Sequence, residues 1–387
     1  MEEAPTCFPD FQIPSALRHF RLRRIVTGRC PRLPPPQCFP RTGSETRTVR
    51  QRRGAKASRI TPRGVFPAMS FRLPLGLIAA AMLSAVTLRA GQLVVAADGS
   101  GDFRTVQAAV DACPANSAER TVILIRRGVY RELVTVPAER TNLTLKGEDR
   151  ADVIIAAENN ARLNPRRREL FSALGNGLRL ETLTLHNTTP KGGTQAEALR
   201  VNADRVVLDR CDFRSFQDTL RLDGRVYVRD CRVEGDVDFV WGAGTVWFER
   251  CHLQALHNGY LVQSRNGADR DGYVFVDCRI ETAPGVERFV LARIDPGRFP
   301  HSHVAFIRCT LGPGVSPVGW IFDGPGAAAP KEGIRFWEHG STGVDGRPVD
   351  MSRRVEGSRR LTPAEAEAHA DLARFFGGPN PWNPLSP

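Results

Sequence analysis

Asp218 stands seven residues after Cys211, and Asp238 stands seven residues after Cys231, so each aspartate has the same place in a 20-residue unit. If the units stack as adjacent coils, the two aspartate backbones lie ~4.8 Å apart. Two carboxyls that close resist double ionisation, so one keeps its proton beside an anionic partner. That is the arrangement of an acid next to a nucleophile or base. The segments SFQDTL (215–220) and GDVDFVWG (235–242) embed both acids among apolar and aromatic side chains, which raises the cost of a purely structural charge. On the residues alone, a catalytic pair and a buried polar network both stay open.

The elements that would hold such a pair follow from the cysteines. Five of them each end a β-rich run and are followed by one polar and one apolar residue: VVLDRCDF (Cys211), YVRDCRV (Cys231), WFERCHL (Cys251), VFVDCRI (Cys278) and AFIRCTL (Cys309). Their spacings are 20, 20, 27 and 31 residues, and Leu183 and Leu143 fit the same slot upstream. Repeats of this length, with extra residues confined to connections, predict an all-β fold, a right-handed parallel β-helix. A disulfide framework is the alternative for the cysteines, but an odd set in one register favours an interior ladder of small apolar thiols. A metal site is disfavoured, since no CxxC pair occurs and His252 points to the opposite strand face from Cys251.

A solenoid needs both ends covered. In front, DGSGDF leads into TVQAAVDAC, a short amphipathic helix with Val106, Ala109 and Val110 on one face. Behind, LTPAEAEAHADLARFFGG predicts a helix with Thr362 as N-cap, Pro363 at the first position, Glu365 closing a capping box and Gly377 as the stop.

Charge is unevenly spread. The chain of 387 residues has a formal charge of +12, yet residues 1–68 hold 14 Lys+Arg against four acids, and Arg72 and Arg89 supply the rest. Segment 91–387 is balanced, with 38 of each sign, which removes the argument for a nucleic-acid partner. No run of 18 apolar residues occurs, which excludes a multi-pass membrane protein. Residues 1–68, rich in Arg and Pro without apolar periodicity, are expected to be a disordered extension or an upstream mis-start. Residues 69–90 have the basic start, apolar stretch and small-residue end of a signal peptide opening at Met69. That leaves 91–387 as the β-helix domain of a secreted or periplasmic protein.

Six short blocks, in order, carry a family resemblance over about 95–325: GVYRE (128–132), QAEAL (195–199), QDTL (217–220), GDVDFVWG, LVQSR (261–265) and VGW (318–320). They resemble the GxYxE, QAxAL, QDTL, GxxDFIFG, TAQGR and AGW blocks of the pectinesterases, and the chain looks like a bacterial secreted type. The resemblance implies a parallel β-helix that removes methyl esters from pectin. It makes Asp238 the nucleophile and Asp218 the general acid and then the base. Gln195 and Gln217 become the oxyanion donors, and Arg293 the arginine that holds the nucleophile ionised. Val237 and Trp241 match positions that line the substrate groove. No metal or cofactor is implied, the partner is the homogalacturonan chain, and a monomer is expected.

One block departs from the pattern: LARID (291–295) stands where the family has LGRPW, so Asp295 replaces a tryptophan that packs under a sugar ring. A carboxylate there would repel galacturonate, leaving Trp241 or Trp320 to supply the platform. The departure keeps two other readings open, an esterase or acyl-CoA thioesterase-like homologue on the same fold and a non-catalytic carbohydrate-binding β-helix. Tyr130 and Glu132 of the first block are expected to tie the first coils together.

Overall fold

Runs such as Val206–Asp209 are buried on both faces and rich in β-branched residues, the pattern of a strand covered from two sides. The computed structural model describes residues 92–386; the readings of 1–68 and 69–90 lie outside the described residues. Eleven strands, from Gln92–Val95 to Arg359–Arg360, pair in chain order in one sheet. Its ladders run parallel along the whole stack. A second, fifteen-stranded network carries the other two faces, which merge where the long strands Arg232–Gly242 and His252–Ser264 bend from one face into the next. The fold is a right-handed parallel β-helix.

Stacking like on like fills the interior. Leu208, Val228, Phe248, Phe275 and Phe306 are successive rungs of one inward column. Its phenylalanine rings stack with centroids 4.5 and 4.6 Å apart. The five cysteines form a second column at a corner, all buried and unbridged. Each thiol lies near the carbonyl two residues before it, for example Cys251 Sγ to Glu249 O at 3.4 Å. The residue before each cysteine has a left-handed backbone (φ 52, 53, 50, 53 and 54° at Arg210, Asp230, Arg250, Asp277 and Arg308), which turns the chain from one face to the next.

Leu183 takes the same corner after Thr182, whose φ is 51°. Leu143 does not. It pairs with Thr121 inside a first-face strand, one corner away from the cysteine row. Asn142 before it is also left-handed (φ 54°), so two different corners present the same local pattern.

Helix Val106–Ala112 covers the front with Val106, Ala109 and Val110 inward. Glu132 caps its first turn by accepting from Val106 N (2.8 Å) and Gln107 N (2.9 Å). Tyr130 donates to Arg126 O at 2.8 Å, so this block is structural, as its sequence implies. At the C-terminal side the capping box of Thr362 and Glu365 forms, but the helix stops at His369 and a second one, Leu372–Phe375, restarts on Asp371 as its own N-cap. The break lets Ala366 and Phe376 both reach the outer side of the first face, over Tyr227, Trp247 and Ile307. This segment therefore packs along the side of the solenoid.

Candidate active site

The third face is built from short strands whose register fixes the chemistry. Leu199 pairs with Leu220, and Leu220 with Val240. Counting two residues back puts Glu197, Asp218 and Asp238 at one level on three successive coils. The Leu199–Phe171 pairing extends the column to Glu169. Asp218 N donates to Val237 O at 3.0 Å, locking the two aspartate coils together. Both aspartates have left-handed backbones (φ 69° at Asp218, 49° at Asp238), a conformation Asp tolerates better than most residues and one that clusters at functional sites. The glycines of GDVDFVWG serve close approach: a Cβ on Gly242 would stand 2.3 Å from Leu222 O, and one on Gly235 would stand 2.2 Å from Phe239 Cβ.

The two carboxyls have opposite surroundings. Asp238 is 4% exposed and accepts from Arg293 Nε at 2.8 Å, from Arg293 Nη2, and from Gln263 Nε2 at 3.3 Å. Arg293 also donates to Asp323 at 2.9 Å and lies over the Tyr260 ring at 4.5 Å. The Asp238 hydrogen bond raises the arginine's pKa further, so Arg293 is a permanent cation against the nucleophile candidate. Asp218 is 7% exposed, and its pKa lies well above the carboxylate range. Burial is the main cause, followed by the Glu197 charge; Arg168 opposes them, Asp238 adds to the rise and Arg265 works against it. Among the described residues its one side-chain hydrogen bond comes from Arg168 Nη2 at 3.0 Å. A carboxyl whose protonated form burial favours therefore sits one coil from a carboxyl paired with arginine.

Gln195 and Gln217 lie on adjacent coils, half-buried, with Ala196 N donating to Gln217 O at 3.1 Å. Gln195 Oε1 accepts from Thr194 Oγ1 at 2.7 Å, which leaves its amide NH2 as the available donor. Gln217 and Val237 share a cleft of about 210 Å³ with Lys191 and Phe216.

The aromatic platform expected in compensation for Asp295 is not there. Trp320 is fully buried against Phe336, with ring centroids 5.0 Å apart. Trp241 is only 5% exposed and carries three guanidiniums over its ring, Arg168, Arg221 and Arg265, at 5.4, 4.6 and 4.5 Å. A sugar approaching it meets arginine, not indole. Asp295 spends its carboxylate on backbone amides: Gly297 N at 3.0 Å, Arg298 N at 3.2 Å and Gly326 N at 3.3 Å. It caps its own turn, and its bond to Arg298 is through the main chain.

Sequence reasoning did not single out Arg168, Glu197, Gln263, Arg265 or Asp323. Gln263 and Arg265 stand inside the LVQSR block, and Glu197 inside QAEAL, so the blocks pointed to them without giving roles. Arg168 stands in the run RRRE of a long connection, and no pattern marks it. Among the described residues there is no cluster of three or more His, Cys, Asp or Glu side chains arranged to hold a metal.

The parallel β-helix carries two buried aspartates among amides and arginines, the kinds of group that hydrolysis of a carboxylic ester uses. The comparisons name the family. The Pectinesterase family model matches residues 92–375. Pectinesterase 31 of Arabidopsis thaliana is 32% identical over 288 residues, which is 70% of this chain and 88% of that protein. Among solved structures, the pectin methylesterase from carrot superposes with a TM-score of 0.67 at 28% identity, covering 73% of this chain and 92% of its own. A pectin methylesterase in complex with a hexasaccharide gives a TM-score of 0.65 at 26% identity, covering 76% and 98%. The chain belongs to the pectinesterase family, and it is an enzyme that removes methyl esters from pectin.

Proposed function

We propose that Asp238 attacks the carbonyl carbon of a galacturonate methyl ester and that Asp218 supplies the proton to the leaving methanol. The contrast between the two carboxyls carries this reading: Asp238 is held by the Arg293 guanidinium, whereas burial pushes the Asp218 carboxyl well above its ordinary pKa and favours its protonated form. Attack turns the carbonyl oxygen into an oxyanion, which accepts hydrogen bonds from the side-chain amides of Gln195 and Gln217. The C–OCH3 bond then breaks, Asp218 protonates methoxide, and an acyl anhydride on Asp238 remains. In the second half Asp218, now ionised, takes a proton from water as that water attacks the anhydride. Water's hydroxyl bonds to the galacturonate carbonyl carbon, the acyl–Asp238 bond breaks and returns Asp238 as its anion, the sugar leaves as the carboxylic acid and gives its proton to solvent, and Asp218 is protonated for the next turn. No metal or cofactor enters these steps.

Val237 lines the groove beside Gln217. Arg221, Arg265 and the exposed Arg298 present positive charge to a polyuronate, in the place where an aromatic platform was expected. The protein acts as a monomer outside the cytoplasm, exported by the segment that opens at Met69. N-terminal sequencing of the exported form tests the last point, with a start near residue 91 expected.

The reaction is tested by methanol release from highly methylated pectin. Asp238→Asn should abolish it with the fold intact by circular dichroism; full turnover in that variant would remove Asp238 from the nucleophile's role.

A further inference from the structure

Two acids in the column, Glu169 and Glu197, have no part in these steps. Glu197 lies one coil before Asp218, is 1% exposed, and accepts at Oε1 from Arg168 Nε at 2.9 Å, with Nη2 of the same guanidinium in ion-pair contact at 2.7 Å. Its Oε2 is buried with no partner among the described residues. A buried carboxylate with a single partner costs stability that an apolar side chain in the same space would not, so packing does not account for it. The same Arg168 Nη2 also reaches Asp218 Oδ2 at 3.0 Å. An arginine on Asp218 alone would favour its ionised form and disable it as an acid. With Glu197 present, the guanidinium makes two contacts to the glutamate and one to the aspartate.

We propose that Glu197 is a positioning residue that holds the Arg168 guanidinium and offsets its charge, so that Arg168 orients Asp218 without ionising it. This rests on the reading of Asp218 as the general acid.

The charges that face Asp218 are Glu197 from the coil before, Arg168 from the connection ahead of strand Phe171–Ala173, Asp238 from the coil after, and Arg265 from beyond strand His252–Ser264. Those that face Glu197 are Arg168, Asp218 and Glu169, and Glu169 has Arg200 at 3.8 Å. Burial raises the Glu197 carboxyl too, and Arg168 opposes the rise. Removing the Glu197 charge leaves Arg168 undivided against Asp218, whose pKa falls, so the protonated acid is lost at lower pH.

The test is the pH dependence of kcat/KM for methanol release from methylated pectin, measured on the full chain and on E197Q, R168Q and the double variant. E197Q should move the alkaline limb down by about 1 pH unit or more, leaving the acid limb in place. R168Q should move the alkaline limb up, and the double variant should bring it back towards the parent. A uniformly lowered profile for E197Q with its alkaline limb unmoved would make Glu197 merely structural and overturn the proposal. If E197Q does not fold, R168Q decides: an alkaline limb that stays or moves down refutes the role. Full turnover in D218N would overturn the acid assignment itself, and the role of Glu197 with it. An active parent with unresponsive limbs sinks only Glu197.

Discussion

Burial favours the protonated form of Asp218, and that burial links the site to stability. Its folded pKa is raised, so its contribution to stability is full below the unfolded carboxyl pKa and is lost as pH rises through the folded value. D218N carries no such penalty and should gain stability at pH 7 relative to the parent but not at pH 4. Thermal melts at the two pH values check this, with a rise of about 2–4 °C for each kcal/mol recovered. Activity moves the other way, since the variant has no proton to give. Gln217→Ala should lose about 10²–10³ in turnover, the cost of one oxyanion donor. Asp295 belongs to a different account: it holds three backbone amides. D295A should destabilise by about 1–2 kcal/mol in urea unfolding, with little change in the Michaelis constant for pectin. The acid pair was legible because both aspartates keep one distance from one cysteine repeat. Arg168 was not, because its distance from Asp218 is set by a connection with no repeat.

At the scale of elements, the corner before each cysteine governs how one face turns into the next. A left-handed residue turns the chain, and the cysteine after it drops its thiol into the interior with a carbonyl as its neighbour. Replacing Cys251 by Ser puts a hydroxyl in an apolar column and should cost roughly 1–3 kcal/mol. Thiol titration in denaturant without reductant should find Cys211, Cys231, Cys251, Cys278 and Cys309 all free, and a lower count would mean a bridge. The repeat made these corners readable from sequence, while the third face stayed hidden. Strands Arg232–Gly242 and His252–Ser264 pass from the second face to the third through irregular register without a break in the strand, and in the first of them the left-handed residue at the bend is Asp238, which no cysteine follows. Leu143 shows the converse, a shared local pattern that sits at another corner. The C-terminal helices show a third limit. The capping box was plain, but the stop at Ala370 follows from the need of Ala366 and Phe376 to reach the same outer face.

For the whole molecule, the sum of charges hides the field that matters. Segment 91–387 is neutral, yet its arginines gather around Trp241, where Arg168, Arg221 and Arg265 cover the ring and Arg298 stands exposed beside Phe299. On the proposed reading such a groove would bind a polyuronate by charge where an aromatic platform would bind it by stacking. The two modes differ in their response to salt. Stacking is insensitive to ionic strength, whereas exposed charges lose their reach as the Debye length falls from about 10 Å at 0.1 M to about 3 Å at 1 M. Arg298→Ala removes a cation that touches neither aspartate, so turnover should hold. The Michaelis constant for partly demethylated pectin should rise about fivefold at low salt, the equivalent of ~1 kcal/mol for one charge pair in water. At 1 M salt parent and variant should converge. A fully methylated substrate, with no free carboxylate to meet the arginine, should show no difference at either salt. Steady-state kinetics on the two substrates at the two salt concentrations decide the matter: a variant that weakens both substrates equally, at both concentrations, would assign Arg298 to packing against Phe299 and leave the groove without its electrostatic character.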